Sequence, residues 1–156
     1  MPKKQVTCEK ITYISRLVRK EIEDWTFSVG RSWFDSDTLC GACGVASWTL
    51  KNALSHLKIS SDFVMGTFNQ YGNHNPDEDE NHCWIVIDDM IVDITATQFG
   101  IHFPVFVTSV DDSKYCQRYK NIHAYRRLAT WEGQSHSWYR PTLEEIAKKV
   151  AQEAHE

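Results

Sequence analysis

The sequence predicts an α+β fold in a single domain that spans residues 1–156. Apolar residues recur at intervals of three and four in several segments, which is typical of amphipathic helices. Short β-branched and aromatic runs, joined by turn residues, lie between these segments and indicate antiparallel strands. The chain has 42% hydrophobic and 24% charged residues. This composition and length are sufficient for one buried core.

Three helices are predicted in chain order. Residues 9–25 and 44–57 each carry an apolar stripe at helical spacing. Near the C-terminus, Thr142 and Glu145 have the spacing of a capping box, and an amphipathic pattern follows them.

Four strands are predicted between the second and third helices, over residues 63–68, 82–87, 90–95 and 104–110. Asp88-Asp89 separates the second from the third strand and indicates a two-residue hairpin turn. The aromatic-rich stretch that follows, to residue 140, suggests an irregular strand pair.

Cys43 is the better candidate for a nucleophilic thiol. It stands directly before the second predicted helix, where unpaired N–H groups and the helix dipole favour a thiolate. Gly41 and Gly44 flank it, so a substrate backbone could come close. Cys40 lies three residues farther from the helix.

Three other interpretations of these thiols remain open. A cysteine before a helix can simply be a small buried residue. Cys40 and Cys43 also have the spacing of a redox dithiol, although no buried strand pattern precedes them. Zinc could use Cys40, Cys43, His82 and Cys83. However, His82 and Cys83 are neighbours in a strand and should point to opposite faces, so we expect no metal.

His82 and Asp93 are the candidate base and its orienting carboxylate. With a two-residue turn, side-chain alternation places both residues on one face of the hairpin, together with Trp84. They would be diagonal neighbours within reach of each other. A carboxylate on the far nitrogen of an imidazole selects the tautomer that a general base needs.

These residues resemble the core of the transglutaminase-like superfamily over about residues 41–99. The motifs that carry the resemblance are Gly41-Ala42-Cys43, Val64-Met65-Gly66, His82-Cys83-Trp84 and Asp93-Ile94-Thr95. The run from Cys40 to Ser47 is also similar to the nucleophile motif of papain-like proteases.

The resemblance implies a papain/transglutaminase-like fold, with a helix carrying the nucleophile packed on an antiparallel sheet. It also implies a Cys43–His82–Asp93 triad that needs no cofactor. Papain-like enzymes have a glutamine six residues before the nucleophile as an oxyanion donor, but Asp37 stands there. The backbone N–H of Cys43 remains available, and the Trp33 indole could be a second donor.

Composition limits the partners and the location. The net charge is −4 with no long basic run, so nucleic acid is not expected. Five cysteines, no apolar signal segment and no long apolar run favour a reduced protein of the cytoplasm, with signal-independent export left open. The acidic run 77–80 would favour a basic substrate segment.

The sequence therefore predicts a thiol hydrolase of the protease or protein-glutamine deamidase type that acts on a protein or peptide. Cys43, His82 and Asp93 are its expected catalytic residues, and Trp84, Trp33 and Gly41 are expected in the substrate cleft. The alternatives are a transglutaminase-type acyltransferase, a catalytically silent partner-binding domain and a redox dithiol protein. Sequence does not indicate the oligomeric state.

Overall fold

The architecture is α+β, as predicted from the sequence. The computed structural model describes residues 6–29, 42–99, 101, 103–111, 118–124 and 139–155, with backbone only for 121–124. These residues form three α-helices and a five-stranded antiparallel sheet.

The first two predicted helices are confirmed with small shifts at their ends. α1 spans Cys8–Val29 and α2 spans Cys43–His56. The third, α3, spans Arg140–His155, so it begins two residues before the predicted capping box. The capping-box prediction is wrong because Thr142 already lies in the first helical turn.

The sheet has the strand order β4-β3-β2-β1-β5, and all neighbours are antiparallel. The strands are β1 Asp62–Asn69, β2 Asp79–Ile87, β3 Met90–Asp93, β4 Phe106–Ser109 and β5 Tyr119–Ala124. Of the irregular strand pair suggested after residue 110, the described residues contain β5, and its partner is β1.

The β2–β3 hairpin has the predicted register. Ile87 pairs with Met90 and Ile85 pairs with Val92. Asp88 adopts a left-handed conformation with φ 51°, as a tight two-residue turn requires. Consequently, alternate residues of β2 face opposite sides of the sheet.

The sheet separates two apolar clusters. On one face, Cys83, Ile85 and Val92 pack with the apolar sides of all three helices. On the other face, Trp84 and Ile91 belong to a second buried cluster, which also contains Phe68, Ile101, Phe106 and Tyr119. α2 contacts α1, α3 and the strands β1 and β2, which brings its first turn to the sheet.

The α-helices of the described residues are α1, α2 and α3. None of them is both long enough and apolar enough to cross a bilayer.

Candidate active site

Cys43 is the first residue of α2, so its thiol lies at the positive end of the helix dipole. The preceding residue, Ala42, accepts the first helical hydrogen bond from Ala46 N–H at 2.9 Å. Ala42 has no side chain that could cap the helix. Among the described residues no side chain caps this turn, so its N–H groups, including that of Cys43, point to where an anion could bind.

His82 and Asp93 form a buried pair on the face of the sheet opposite the helices. His82 Nε2 lies 2.6 Å from Asp93 Oδ2, and each residue is only 1% exposed. Because Asp93 accepts from Nε2–H, Nδ1 is the nitrogen that can exchange a proton with the thiol.

Asp93 is held by three further donors. The backbone N–H of Thr95 donates to Oδ1 at 2.9 Å, and the Thr95 hydroxyl lies 3.4 Å from the same oxygen. The Tyr119 hydroxyl donates to Oδ2 at 2.9 Å. Burial, together with the negative charge of Asp93, raises the pKa of Tyr119 well above its usual value, so this hydroxyl stays protonated. These contacts orient the carboxylate toward the imidazole.

The Cys43 thiol is hydrogen-bonded to both Cys83 and His82. The bond from the Cys83 thiol contributes most to lowering the pKa of Cys43, burial opposes it, and the hydrogen bond and charge of His82 lower it further. The net pKa of Cys43 lies well below that of an ordinary thiol. This shift favours the thiolate form of Cys43.

His82 carries the matching positive charge. Burial is the largest influence and lowers the pKa of His82, but the charge and hydrogen bond of Asp93, with those of Cys43, outweigh it. The result is a pKa raised to about 9. The two shifts together favour a thiolate–imidazolium ion pair in the site.

Cys83 contributes to the site from the helix-facing side of β2. It is 7% exposed, and both its thiol and its backbone N–H donate to the Cys43 sulfur. This hydrogen bond, with burial and the charges of Cys43 and Asp93, raises the pKa of Cys83. Cys83 therefore stays a neutral donor while Cys43 carries the charge.

Replacing Cys83 is expected to change the pKa of Cys43. In Cys83→Ala the thiol donor is lost while the backbone N–H remains, so the pKa of Cys43 should rise. Cys83→Ser restores a side-chain donor and should leave the pKa closer to that of the parent. The pH dependence of Cys43 alkylation by iodoacetamide measures both values. Equal pKa values in Cys83→Ala and the parent protein would contradict the assignment.

Cys43 should also alkylate faster than the other described thiols. Cys8 is exposed on α1, whereas Cys83 is buried and protonated. Brief iodoacetamide treatment at pH 7, followed by peptide mass spectrometry, locates the label. We expect Cys43 to be modified first although Cys8 is more accessible. Faster labelling of Cys8 would argue against a thiolate at Cys43.

The segment after Asp93 brings Gln98 to the imidazole. Gln98 Nε2 lies 3.3 Å from His82 Nδ1. The segment is anchored to α1 by the buried Arg19, whose Nη1 donates to the Ile94 carbonyl at 2.7 Å and to the Thr97 hydroxyl at 3.0 Å. Phe99 adds a ring contact with His82 at a centroid distance of 4.8 Å. Gln98 therefore has a well-supported position.

A cleft of about 540 Å³ opens beside Gln98 and Phe99. Its other lining residues are Gln70, Tyr71, Glu78, Glu80 and Asn81. The lining is mostly polar or acidic, with two aromatic rings. Gln98 both lines the cleft and contacts the imidazole, so this side chain connects the cleft to His82.

The loop between β1 and β2 is organised by Asn69, which is fully buried. Its amide nitrogen donates to Asn73 Oδ1 and Asp79 Oδ1, each at 2.9 Å, and its oxygen accepts from Tyr71 N–H at 3.0 Å. Asp79 also lies 3.9 Å from Lys120 Nζ. Part of the acidic run is thus used within the fold, and Glu78 also accepts from the side-chain amides of Asn73 and Asn75. Glu78 and Glu80 line the cleft.

The three predicted catalytic residues lie together. Of the predicted cleft residues the structure describes only Trp84, which is not among the described residues that line the cleft. Trp84 is fully buried, and its ring lies behind the imidazole with a centroid distance of 5.8 Å. Its indole therefore supports His82 and does not form a cleft wall. Trp33, Gly41 and Cys40 lie outside the described residues.

Sequence reasoning missed Cys83, Gln98 and Tyr119 as contacts of the triad. For Cys83 a signal was present in the alternation of side chains along β2. This alternation places Cys83 on the side of the strand that faces the helices, and Cys43 belongs to one of these helices. For Gln98 and Tyr119 no spacing rule applies. Gln98 lies in a short 3-10 turn, and Tyr119 reaches Asp93 from a strand at the other edge of the sheet.

Zinc is one alternative interpretation of the cysteines. Within the part of the chain that the structure describes, no three His, Cys, Asp or Glu side chains are placed to hold one ion.

A scan against known protein-family models gives no match for this chain, and neither the curated proteins nor the solved structures contain a match. The geometry of the site is therefore the basis for a functional proposal.

Proposed function

We propose that this protein is a cysteine-dependent amide hydrolase of the protease or protein-glutamine deamidase type. The observation that carries the proposal is a thiolate at a helix N-terminus in contact with an imidazolium that a buried carboxylate orients. The resemblance to transglutaminase-like and papain-like enzymes, both in motifs and in a nucleophile helix packed on an antiparallel sheet, supports it.

The reaction would begin with attack of the Cys43 sulfur on a carbonyl carbon. The carbonyl π electrons move to oxygen, and the backbone N–H of Cys43 is placed to donate to the resulting oxyanion. Collapse of this intermediate expels an amine or ammonia, which takes the proton from His82 Nδ1. A thioester remains on Cys43. His82 then accepts a proton from water as it attacks the thioester, which releases an acid and restores the thiolate.

Water is the expected acyl acceptor. Transfer to an amine requires a site that admits a second substrate and limits water. The cleft beside Gln98 is instead lined mainly by residues with polar or acidic side chains, with Glu78 and Glu80 on its wall. The same two carboxylates favour a basic substrate segment, and this preference should weaken as salt rises.

The test uses two synthetic peptides with the same central glutamine, one flanked by arginine and the other by glutamate. Each is incubated with the protein and an excess of a labelled primary amine, and the products are identified by mass spectrometry. We expect peptide cleavage or conversion of glutamine to glutamate, faster with arginine flanks. Amine incorporation as the main product would favour an acyltransferase, and no reaction with either peptide or with an activated ester would argue against the enzyme.

The pH dependence of acylation by p-nitrophenyl acetate should be bell-shaped. The thiolate forms as the pH rises through the lowered pKa of Cys43, and the imidazolium is lost as the pH rises through about 9, the pKa of His82. The rate should therefore be flat around neutrality and fall above about pH 9. A rate that instead rises between pH 8 and 9, about where an ordinary thiol ionises, would contradict the ion pair.

A further inference from the structure

The Gln98 amide and the Cys43 thiol both lie next to the same nitrogen of His82, Nδ1. Asp93 occupies Nε2, so a neutral imidazole has one lone pair left, on Nδ1. Cys43 is hydrogen-bonded to the ring, and Gln98 Nε2 lies 3.3 Å from Nδ1. One lone pair cannot fully satisfy two donors, so the two contacts compete.

The ion pair resolves this competition. In that pair Nδ1 carries the proton and donates to the thiolate, so it does not accept from Gln98. The Gln98 amide then has an N–H without its imidazole acceptor, next to the nitrogen that contacts Cys43 and at the wall of the cleft. This donor is available when the substrate carbonyl arrives.

The position of the Gln98 amide is fixed by neighbouring groups, as a preorganised hydrogen-bond donor requires. Its backbone N–H donates to the Thr95 carbonyl at 3.2 Å, and its amide lies 3.4 Å from the Thr95 hydroxyl. Arg19 fixes the same segment to α1. A held amide costs little reorganisation during the reaction, which is the condition for strong oxyanion stabilisation.

We propose that the Gln98 side-chain amide donates a hydrogen bond to the substrate oxyanion that forms when Cys43 attacks, together with the backbone N–H of Cys43. This inference rests on the proposed hydrolase function and extends it by naming the second oxyanion donor. In the attack, the S–C bond forms and the carbonyl π pair moves to oxygen. Gln98 and the Cys43 N–H stabilise that charge without transferring a proton, and His82 later protonates the leaving group.

Two reactions of the same thiolate separate this role from a structural one. Alkylation by iodoacetamide displaces iodide at a tetrahedral carbon and forms no oxyanion, whereas acylation by p-nitrophenyl acetate forms one. For Gln98→Ala we expect the alkylation rate of Cys43 to stay within about twofold and the acylation rate to fall about 10²-fold. Gln152→Ala, an exposed glutamine on α3, is the matched control and should change neither rate.

Gln98→Glu tests the same role by replacing the donor with a negative charge. A carboxylate beside Nδ1 would favour the imidazolium and so preserve alkylation, but it would repel the oxyanion. Acylation should therefore be at least as slow as in Gln98→Ala. Thermal unfolding of each variant verifies that the fold is kept.

The remaining outcomes decide against the proposal. An equal fall of alkylation and acylation in Gln98→Ala would mean that Gln98 only orients His82. Unchanged acylation in Gln98→Ala would mean that it donates nothing to the oxyanion. If the parent protein alkylates at Cys43 but is not acylated there by the ester, the hydrolase function itself is wrong, and this inference is overturned with it.

Discussion

Cys43→Ser is expected to reduce acylation and turnover by about 10⁴-fold or more. A serine hydroxyl has a pKa far above that of a thiol, so it cannot form the resting ion pair with His82. The pKa of His82 should also fall, because the hydrogen bond and charge of Cys43 contribute to raising it. Loss of rate and change of the imidazole pKa therefore follow from the same substitution.

The rate is measured as release of p-nitrophenol, and the pKa by following the His82 ring in NMR spectra from pH 5 to 10. Cys8→Ser is the matched control because Cys8 is exposed at the start of α1. It should retain the parent rate. A Cys43→Ser protein with nearly full turnover would show that another group performs the chemistry.

Asp93→Asn should reduce turnover by about 10³–10⁴-fold, although the hairpin still forms. Asp93 supplies the charge that outweighs burial and keeps His82 protonated. An amide of the same shape removes this charge, so the pKa of His82 falls. An amide N–H facing Nε2 would also select the wrong tautomer, with the remaining proton on Nδ1. The Cys43 thiolate then loses much of the stabilisation that the positive charge of His82 provides.

Three measurements on Asp93→Asn separate the chemical effect from unfolding. Turnover and the neutral-pH alkylation rate of Cys43 should both fall, whereas a thermal unfolding curve should still show one cooperative transition. Asp89→Asn, in the exposed hairpin turn, is the control and should leave both rates unchanged. If alkylation and turnover survive in Asp93→Asn, the carboxylate is only structural.

The hairpin residues of the site could be located from the sequence because strand geometry has a strict period. Two-residue alternation and the short turn at Asp88-Asp89 place His82 and Asp93 on one face, whatever the rest of the chain does. Similarly, the apolar stripe that follows Cys43 fixes the start of α2 to within one residue. Local rules therefore determine where each triad residue lies on its own element.

Local rules fail where a contact depends on packing between distant segments. Tyr119 reaches Asp93 because β5 lies beside β1, a pairing that no turn signal encodes. Gln98 contacts His82 because Arg19, on α1, holds the segment that directly precedes Gln98. The start of α3 was misplaced for a related reason, since Thr142 and Glu145 match a cap by spacing alone.

The sequence by itself determined the α+β class, the elements that carry Cys43, His82 and Asp93, and the shared face of the last two. These follow from helical and strand periodicity, which act over a few neighbouring residues. Only the tertiary structure decided that Cys83 donates to Cys43, that Trp84 is buried beside the imidazole and that the surroundings of Cys43 lower its pKa. Those properties depend on burial and on charges brought together from separate elements, and no short stretch of sequence contains them.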